Sequence, residues 1–293
     1  MKWVAQAFDH SVPGILHRWK GGIHWVHFLQ RLLYQRNGLI RRKVRSILKR
    51  VARESSDDFL NGDTGIGTIL DLGCGDGHYI FMAKKAPFDR LLGIDRNGAW
   101  VHFLGNYFGQ HPEKSAGITE FICADLDDGM KGLGDESADL IFCFAVLPYV
   151  KNASFTLAEM HRVLISGKTM LLYVPVGFKI ETRLYRWMFN NFNHYESQQG
   201  RQAVFDREEL LSMLFEAGFE VTDKAFAYGK MGRWGHEFWS MTTMLLGSGR
   251  WPLVILGVVI TPVSLVLLLI LKGLDQSRTL TDGNGMYCEC KKR

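Results

Sequence analysis

The stretch Thr68–Ile80, TILDLGCGDGHYI, constrains the fold of this chain more than any other. Apolar Ile69, Leu70 and Leu72, with the acid Asp71 among them, run into three alternating glycines, Gly73, Gly75 and Gly77. A short apolar run that breaks into glycines predicts a buried parallel strand turning sharply into a helix. Glycine serves such a turn because the backbone must take unusual dihedrals and let a ligand approach with no Cβ in the way. The N-terminus of the following helix then offers free N–H groups to an anionic group.

The turn has a companion. A second apolar strand, Leu91-Leu92-Gly93-Ile94, ends at Asp95, which lies about 20 residues after the first glycine, the distance at which a β2 acid meets a ribose. The glycines run G-C-G-D-G, unlike the G-x-G-x-x-G of a pyrophosphate loop, and Asp76 inside the loop would repel a diphosphate. This disfavours a nicotinamide dehydrogenase. These residues resemble the first two motifs of the class I S-adenosylmethionine-dependent methyltransferases. Cys123-Ala-Asp-Leu126 resembles the third motif and SADLIFCFAVLPYV the fourth, with Phe144 lining the cofactor. EMHRVLISGKTMLLYVPV is similar to the segment before strand five, with Ile165-Ser166-Gly167-Lys168 replacing the usual Lys/Arg-Pro-Gly-Gly. The resemblance implies S-adenosyl-L-methionine as cofactor, held by Asp71, Gly73, Cys74, Gly75, Gly77, Asp95, Arg96, Asp125, Leu126 and Phe144.

Strands are expected at Thr119–Ala124, Asp139–Ala145, Lys168–Val176, Phe219–Ala227 and Gly285–Lys291. Helices are expected at His78–Ala86, Ala99–Phe108 and Ser154–Leu164, and after Asp206, which forms a capping box with Glu209. Strand–helix alternation predicts an α/β, doubly wound, mainly parallel sheet with right-handed crossovers. The resemblance makes it seven-stranded and Rossmann-like, with the strand at Gly285 antiparallel. Ligands in such sheets lie beyond the carboxyl ends of the strands.

Residues 1–53 carry twelve Lys or Arg against the single acid Asp9, a surplus of eleven positive charges. The rest of the chain must then carry six net negatives to leave the overall +5. A basic arm on a mildly acidic body points to an anionic surface. Ile23–Leu33 is helical in period, and Leu39–Val51 is a basic amphipathic helix with Ile40, Val44, Ile47, Leu48 and Val51 on one face. Phe8, Asp9, Trp19 and Arg31 resemble the family's lead-in segment, which implies an N-terminal helical cap, here also facing a membrane. Glu54–Gly67 reads as a linker. The five cysteines are odd in number, three fall in or beside expected core strands, and no C-x-x-C pair occurs, so reduced thiols in the cytosol are expected. No zinc site and no other metal site is expected.

Leu253–Leu271 is nineteen residues without a charge, fifteen of them Leu, Ile or Val. At about −0.4 kcal/mol each, insertion into lipid gains roughly −6 kcal/mol before Gly257, Thr261, Pro262 and Ser264 subtract from it. A single crossing would strand the segment at Gly285 on the far side of the bilayer from its own sheet. Pro262 is therefore expected to bend the run into two half-helices that dip into one leaflet. The catalytic domain and the last strand then share the cytoplasmic side. The domain plan is a cap at 1–53, the cofactor-binding domain at 54–228, a membrane insert at 229–284 and a returning strand at 285–293.

The expected activity is methyl transfer to a small lipophilic acceptor (a phenol, quinone precursor or lipid acid) at the membrane surface. His194 and Tyr195, in the insert after strand five, and Tyr149 are candidates for a general base, with His236 behind them. No nucleic-acid partner is expected, because an intrabilayer segment serves no nucleic-acid reader. An RNA or protein methyltransferase and a non-catalytic membrane scaffold stand as alternatives.

Overall fold

The computed structural model describes residues 22–58, 66–112, 115–192 and 203–293. Phe8, Asp9, Trp19, His194 and Tyr195 lie outside them. In chain order the elements are α1 (Gly22–Leu33), α2 (Gln35–Asp58), β1 (Ile66–Leu72), α3 (Ile80–Ala83), β2 (Phe88–Asp95), α4 (Gly98–Gly109), β3 (Ile118–Cys123) and β4 (Ala138–Phe144). They continue with α5 (Ala153–Val163), β5 (Leu164–Val174), α6 (Arg183–Phe192), α7 (Arg207–Glu216), β6 (Phe219–Ala227), α8 (Lys230–Leu246), α9 (Trp251–Gln276) and β7 (Gly285–Lys292).

The seven strands form one sheet in the order β3-β2-β1-β4-β5-β7-β6. β1 to β5 are mutually parallel, and β7 runs antiparallel between β5 and β6. Side chains alternate between the two faces of the strands, so each face has its own core. Ile69, Leu91, Leu140, Phe142, Leu171 and Tyr173 pack beneath α2 and α4, while Leu70, Leu92, Ile141, Cys143, Leu172 and Cys288 pack beneath α5 and α7. Helix α2 buries Leu39, Ile40, Val44, Ile47 and Leu48 on the first face. Each contributes about 1.5–3 kcal/mol of apolar burial, which is what fixes a strongly basic helix to the sheet. Asp206 and Glu209 form the expected capping box at the start of α7.

Three expectations need correction. The helix after the glycine turn covers only Ile80–Ala83, not His78–Ala86. It stops early because Ala86 N–H turns back to Ala83 O, while Lys84 O accepts from distant Ala116 N–H at 2.8 Å. Helix α2 runs to Asp58, into the stretch expected to be a linker.

The third correction concerns the apolar segment. Pro262 does not divide it: α9 is one helix of 26 residues, about 39 Å long. The reversal lies before it, at Gly247–Arg250, where Gly249 takes φ +69°. Helices α8 and α9 thus form an out-and-back pair, and β7 re-enters the sheet from the side that β6 left. Contact along this pair supports the helix through the proline. Gly235 and Gly257 let the two backbones approach, and Ser264 Oγ donates to Phe238 O at 3.1 Å. Thr242, Thr243 and Thr261 also donate to backbone carbonyls of their own helices. Among the described residues α9 is the one helix long and apolar enough to cross a bilayer, and only 17% of its most apolar window is buried. That exposure argues against a helix enclosed in a soluble core.

Candidate active site

Gly73, Gly75 and Gly77 all take positive φ, +67°, +50° and +77°. At Gly73 the need is double, because a Cβ would also run into the Val146 side chain. The turn is tied to β2 by Gly73 N–H and Cys74 N–H, which both donate to Ile94 O at 2.7 and 3.1 Å. Asp95 then reaches across. Its Oδ2 accepts from Gly75 N–H and its Oδ1 from Asn97 N–H, each at 2.8 Å.

Two cavities open along the carboxyl ends of the strands and share Gly73 and Phe144. The first, about 170 Å³, is lined by Asp95, Arg96, Asp125, Leu126 and Tyr149. Beside Phe144 in its wall, Ala145 holds φ +62°, a strained conformation for a residue with a Cβ, and donates its N–H to Tyr173 O at 2.7 Å. The second cavity, about 230 Å³, is a chamber roofed on one side by the cap. Asp71, Cys74, Gly75, Asp76 and His78 form its floor, and Gln30, Tyr34, Arg36 and Asn37 from α1 and α2 form its roof. The sequence-predicted residues are therefore divided: Tyr149 stands with Asp125 in the first cavity, whereas Asp71 and Cys74 stand in the chamber. Gly77 lines neither cavity; it packs against Leu104. His236 lies against Tyr228, with ring centroids 5.5 Å apart, and lines neither cavity.

The cap residues escaped sequence reasoning. His27 Nε2 lies 3.1 Å from Asp76 O, and Gln30 Nε2 donates to Asp76 Oδ2 at 2.5 Å. Asp76 is thus the anchor that the cap grips. Burial alone would raise its pKa, but hydrogen bonds from His27 and Gln30 and nearby His27 and His78 bring it below the usual carboxylate value. The available signal was the polar set His27, Gln30 and Tyr34 at helical spacing beside buried Ile23.

Asp71 is 1% exposed, and its Oδ2 has no hydrogen-bond partner. Burial, then the charges of Asp95 and Asp76, push its pKa well above the ordinary carboxylate value. His78 is pushed down to about 3, by burial first and by His27 next. Its Nε2 lies 3.2 Å from Arg41 Nη1, and arginine can only donate, so the neutral ring carries its proton on Nδ1. That Nδ1 is also buried without a partner. Among the described residues no group of His, Cys, Asp and Glu could hold a metal ion.

Residues 70–172 match the family model described as a methyltransferase domain. Over that stretch the chain carries a methyltransferase domain. A thiol S-methyltransferase from Homo sapiens is 28% identical over 129 residues, which is 44% of this chain and 50% of that protein. A tRNA U34 carboxymethyltransferase from Campylobacter hominis is 31% identical over 106 residues, 36% of this chain and 34% of that one. The chain thus spans half or less of the curated relatives it matches. Among solved structures, a Haemonchus contortus phospholethanolamine N-methyltransferase 2 superposes with a TM-score of 0.50 at 16% identity, over 86% of this chain and 52% of that one. This likeness is one of fold. The cofactor of the methyltransferase domain is S-adenosylmethionine, and the site fits it: Asp71, which has a buried carboxylate oxygen without a partner, lines the chamber together with Asp76 and feels the charge of Asp95 from the neighbouring cavity, and a cationic group relieves that repulsion.

Proposed function

We propose that this protein is an S-adenosylmethionine-dependent methyltransferase acting on a small lipophilic acceptor at a membrane surface. The observation that carries the proposal is the unpartnered Oδ2 of Asp71, a residue that lines the cap-roofed chamber at the end of β1. Asp95 and Asp125 would hold the adenosine portion, Leu126 and Phe144 would pack on it, and Asp71 with the glycine turn would hold the methionine portion. Arg96 lines the same cavity as Asp95. When bound, S-adenosylmethionine supplies an electrophilic methyl group on a sulfonium. The protein's part is to align a nucleophile and to exclude water.

The chamber walls favour an acceptor that ionises without help. His78 Nε2 is occupied by Arg41 and its Nδ1 holds a proton, so the ring is a donor. Tyr79 is raised above the ordinary phenol value, by burial first, and Cys74 is likewise raised by burial. Arg36, in the roof, supplies a positive charge to an incoming anion. A thiol, an acidic phenol or a carboxylic acid matches this chemistry, and the name of the human relative includes a thiol acceptor.

The out-and-back pair α8–α9 supports membrane association with both of its ends, and so the domain and β7, on one cytoplasmic face. Confinement to the bilayer raises the local concentration of an acceptor that partitions into lipid. The test is methyl transfer from labelled cofactor into a membrane lipid extract, an aqueous metabolite pool and bulk tRNA. Label in the lipid extract is expected. Label confined to tRNA, or to the aqueous pool, overturns the proposed acceptor.

A further inference from the structure

Helix α1 has two working faces. On the inner one, buried Ile23 and His27 face the domain, and His27 and Gln30 grip Asp76 of the glycine turn. The outer one carries Trp25, Phe28 and Leu29, which are 55%, 47% and 47% exposed. With Leu32 they fall at positions i, i+3, i+4 and i+7, a single apolar stripe. The inner face needs this helix; nothing in the domain needs the outer one.

The far end of α1 is fixed by the apolar helix. Lys272 is the first charged residue after the apolar run of α9, and its Nζ donates to Leu32 O at 3.0 Å and to Arg31 O at 2.5 Å. One ammonium thus satisfies two carbonyls that the last turn of a helix leaves without intrahelical partners. Lys272 marks the level at which α9 leaves its apolar stretch, so α1 ends at the depth where, on the membrane reading, headgroups meet hydrocarbon. Tryptophan, arginine and lysine beside an apolar stripe are the residues that settle at that depth.

We propose that α1 is a lipid-seated lid: the bilayer that receives the α8–α9 pair also covers Trp25, Phe28 and Leu29, and this contact keeps His27 and Gln30 on Asp76. The lid rests on the membrane reading above and adds regulation of the same site. Continuity with α9 through Lys272 selects a bilayer as the occupant over a second copy of the chain. The chamber then holds its ligand more tightly on lipid than off it.

The test uses the full chain in phospholipid nanodiscs. An environment-sensitive fluorophore is placed at position 25 (Trp25→Cys) or on α9 (Val259→Cys), in a Cys123→Ser background, since Cys123 is the exposed one of the five cysteines. Quenching of both labels by nitroxide lipids is expected. In parallel, the affinity for S-adenosylhomocysteine is measured by calorimetry for the parent chain and for Phe28→Ser/Leu29→Ser. The variant is expected to bind about fivefold or more weakly in nanodiscs, and equally when both proteins are held in lipid-free amphipathic polymer. A quenched label on α9 with an unquenched label at 25 overturns the lid and leaves the membrane reading standing. If neither label is quenched, both fall. Equal affinity of variant and parent in nanodiscs also overturns the lid. A label at 25 shielded by a cross-linkable second copy overturns it in favour of a dimer. Absence of binding by the parent chain in every setting defeats the cofactor assignment, and the quenching experiment then judges the lid alone.

Discussion

Gly75 donates its backbone N–H to the Asp95 carboxylate at 2.8 Å, so the acid at the end of β2 fixes the glycine turn at the end of β1. One side chain therefore shapes the loop and also stands in the first cavity, where its remaining lone pairs are available to hydroxyl groups.

Asp95→Ala is expected to cost about 1–3 kcal/mol of stability through the loosened amides of Gly75 and Asn97. Affinity for S-adenosylhomocysteine should drop further, by about ten- to a hundredfold, with the lost charge-assisted hydrogen bonds. A thermal melt and a calorimetric titration of the same preparation separate the two effects. Unchanged affinity would show that Asp95 is a loop tie only.

Asp71 gives a pH dependence with a definite sign. Its raised pKa means that the ligand-free protein keeps a proton there at pH values where an ordinary aspartate has lost it. A cationic donor favours the ionised carboxylate, so binding should release a proton and affinity should rise with pH until the raised pKa is passed. The stability contribution has the opposite slope. It is complete below the unfolded value of 3.8 and is lost as pH rises through the folded one. Binding enthalpies in buffers of different ionisation heat measure the proton directly, and Asp71→Asn should abolish the release.

His78 should show one neutral tautomer, protonated on Nδ1, across about pH 5 to 8, because Arg41 occupies Nε2 and the ring titrates only near 3. Nitrogen NMR of labelled histidine reads this. A proton on Nε2, or a titration near neutrality, would remove His78 from the donor role in the chamber.

Val259 and Val263 face outward from α9 one turn apart, 66% and 63% exposed. Val259→Lys/Val263→Lys should leave the melting of the domain nearly unchanged while opposing insertion by about 2.5–3.5 kcal/mol per charge at mid-bilayer. Flotation with vesicles should be lost. Equal flotation of parent and variant would mean that α9 does not enter lipid. In sealed vesicles, protease should reach β7 and the domain from the same side.

The sequence revealed what is decided locally. Strand Phe219–Ala227 and the Asp206–Glu209 capping box appear where expected, because alternation and cap chemistry are encoded within a few residues. The end of α3 at Ala83 depends on Ala116, far along the chain, and so was not legible. Pro262 was weighed as a breaker by its own chemistry, whereas its tolerance comes from the packing of α8 against α9. The grip of the cap was hidden for a similar reason: His27 and Gln30 meet Asp76 only when the fold brings the glycine turn beneath them. Asp71, Asp95 and Asp125 could be singled out as candidates because each lies at or just past the end of a strand, where ligands of this architecture gather.

The position of β7 has a consequence for how the molecule is assembled. Since β7 follows α9 in the chain yet fills the gap between β5 and β6, a ribosome that has just delivered Leu271 holds a sheet still split in two. Completion of the sheet is thereby made to wait until the α8–α9 pair has been made. Truncation anywhere in that pair should leave β6 without a neighbour, instead of releasing a working enzyme into the aqueous phase.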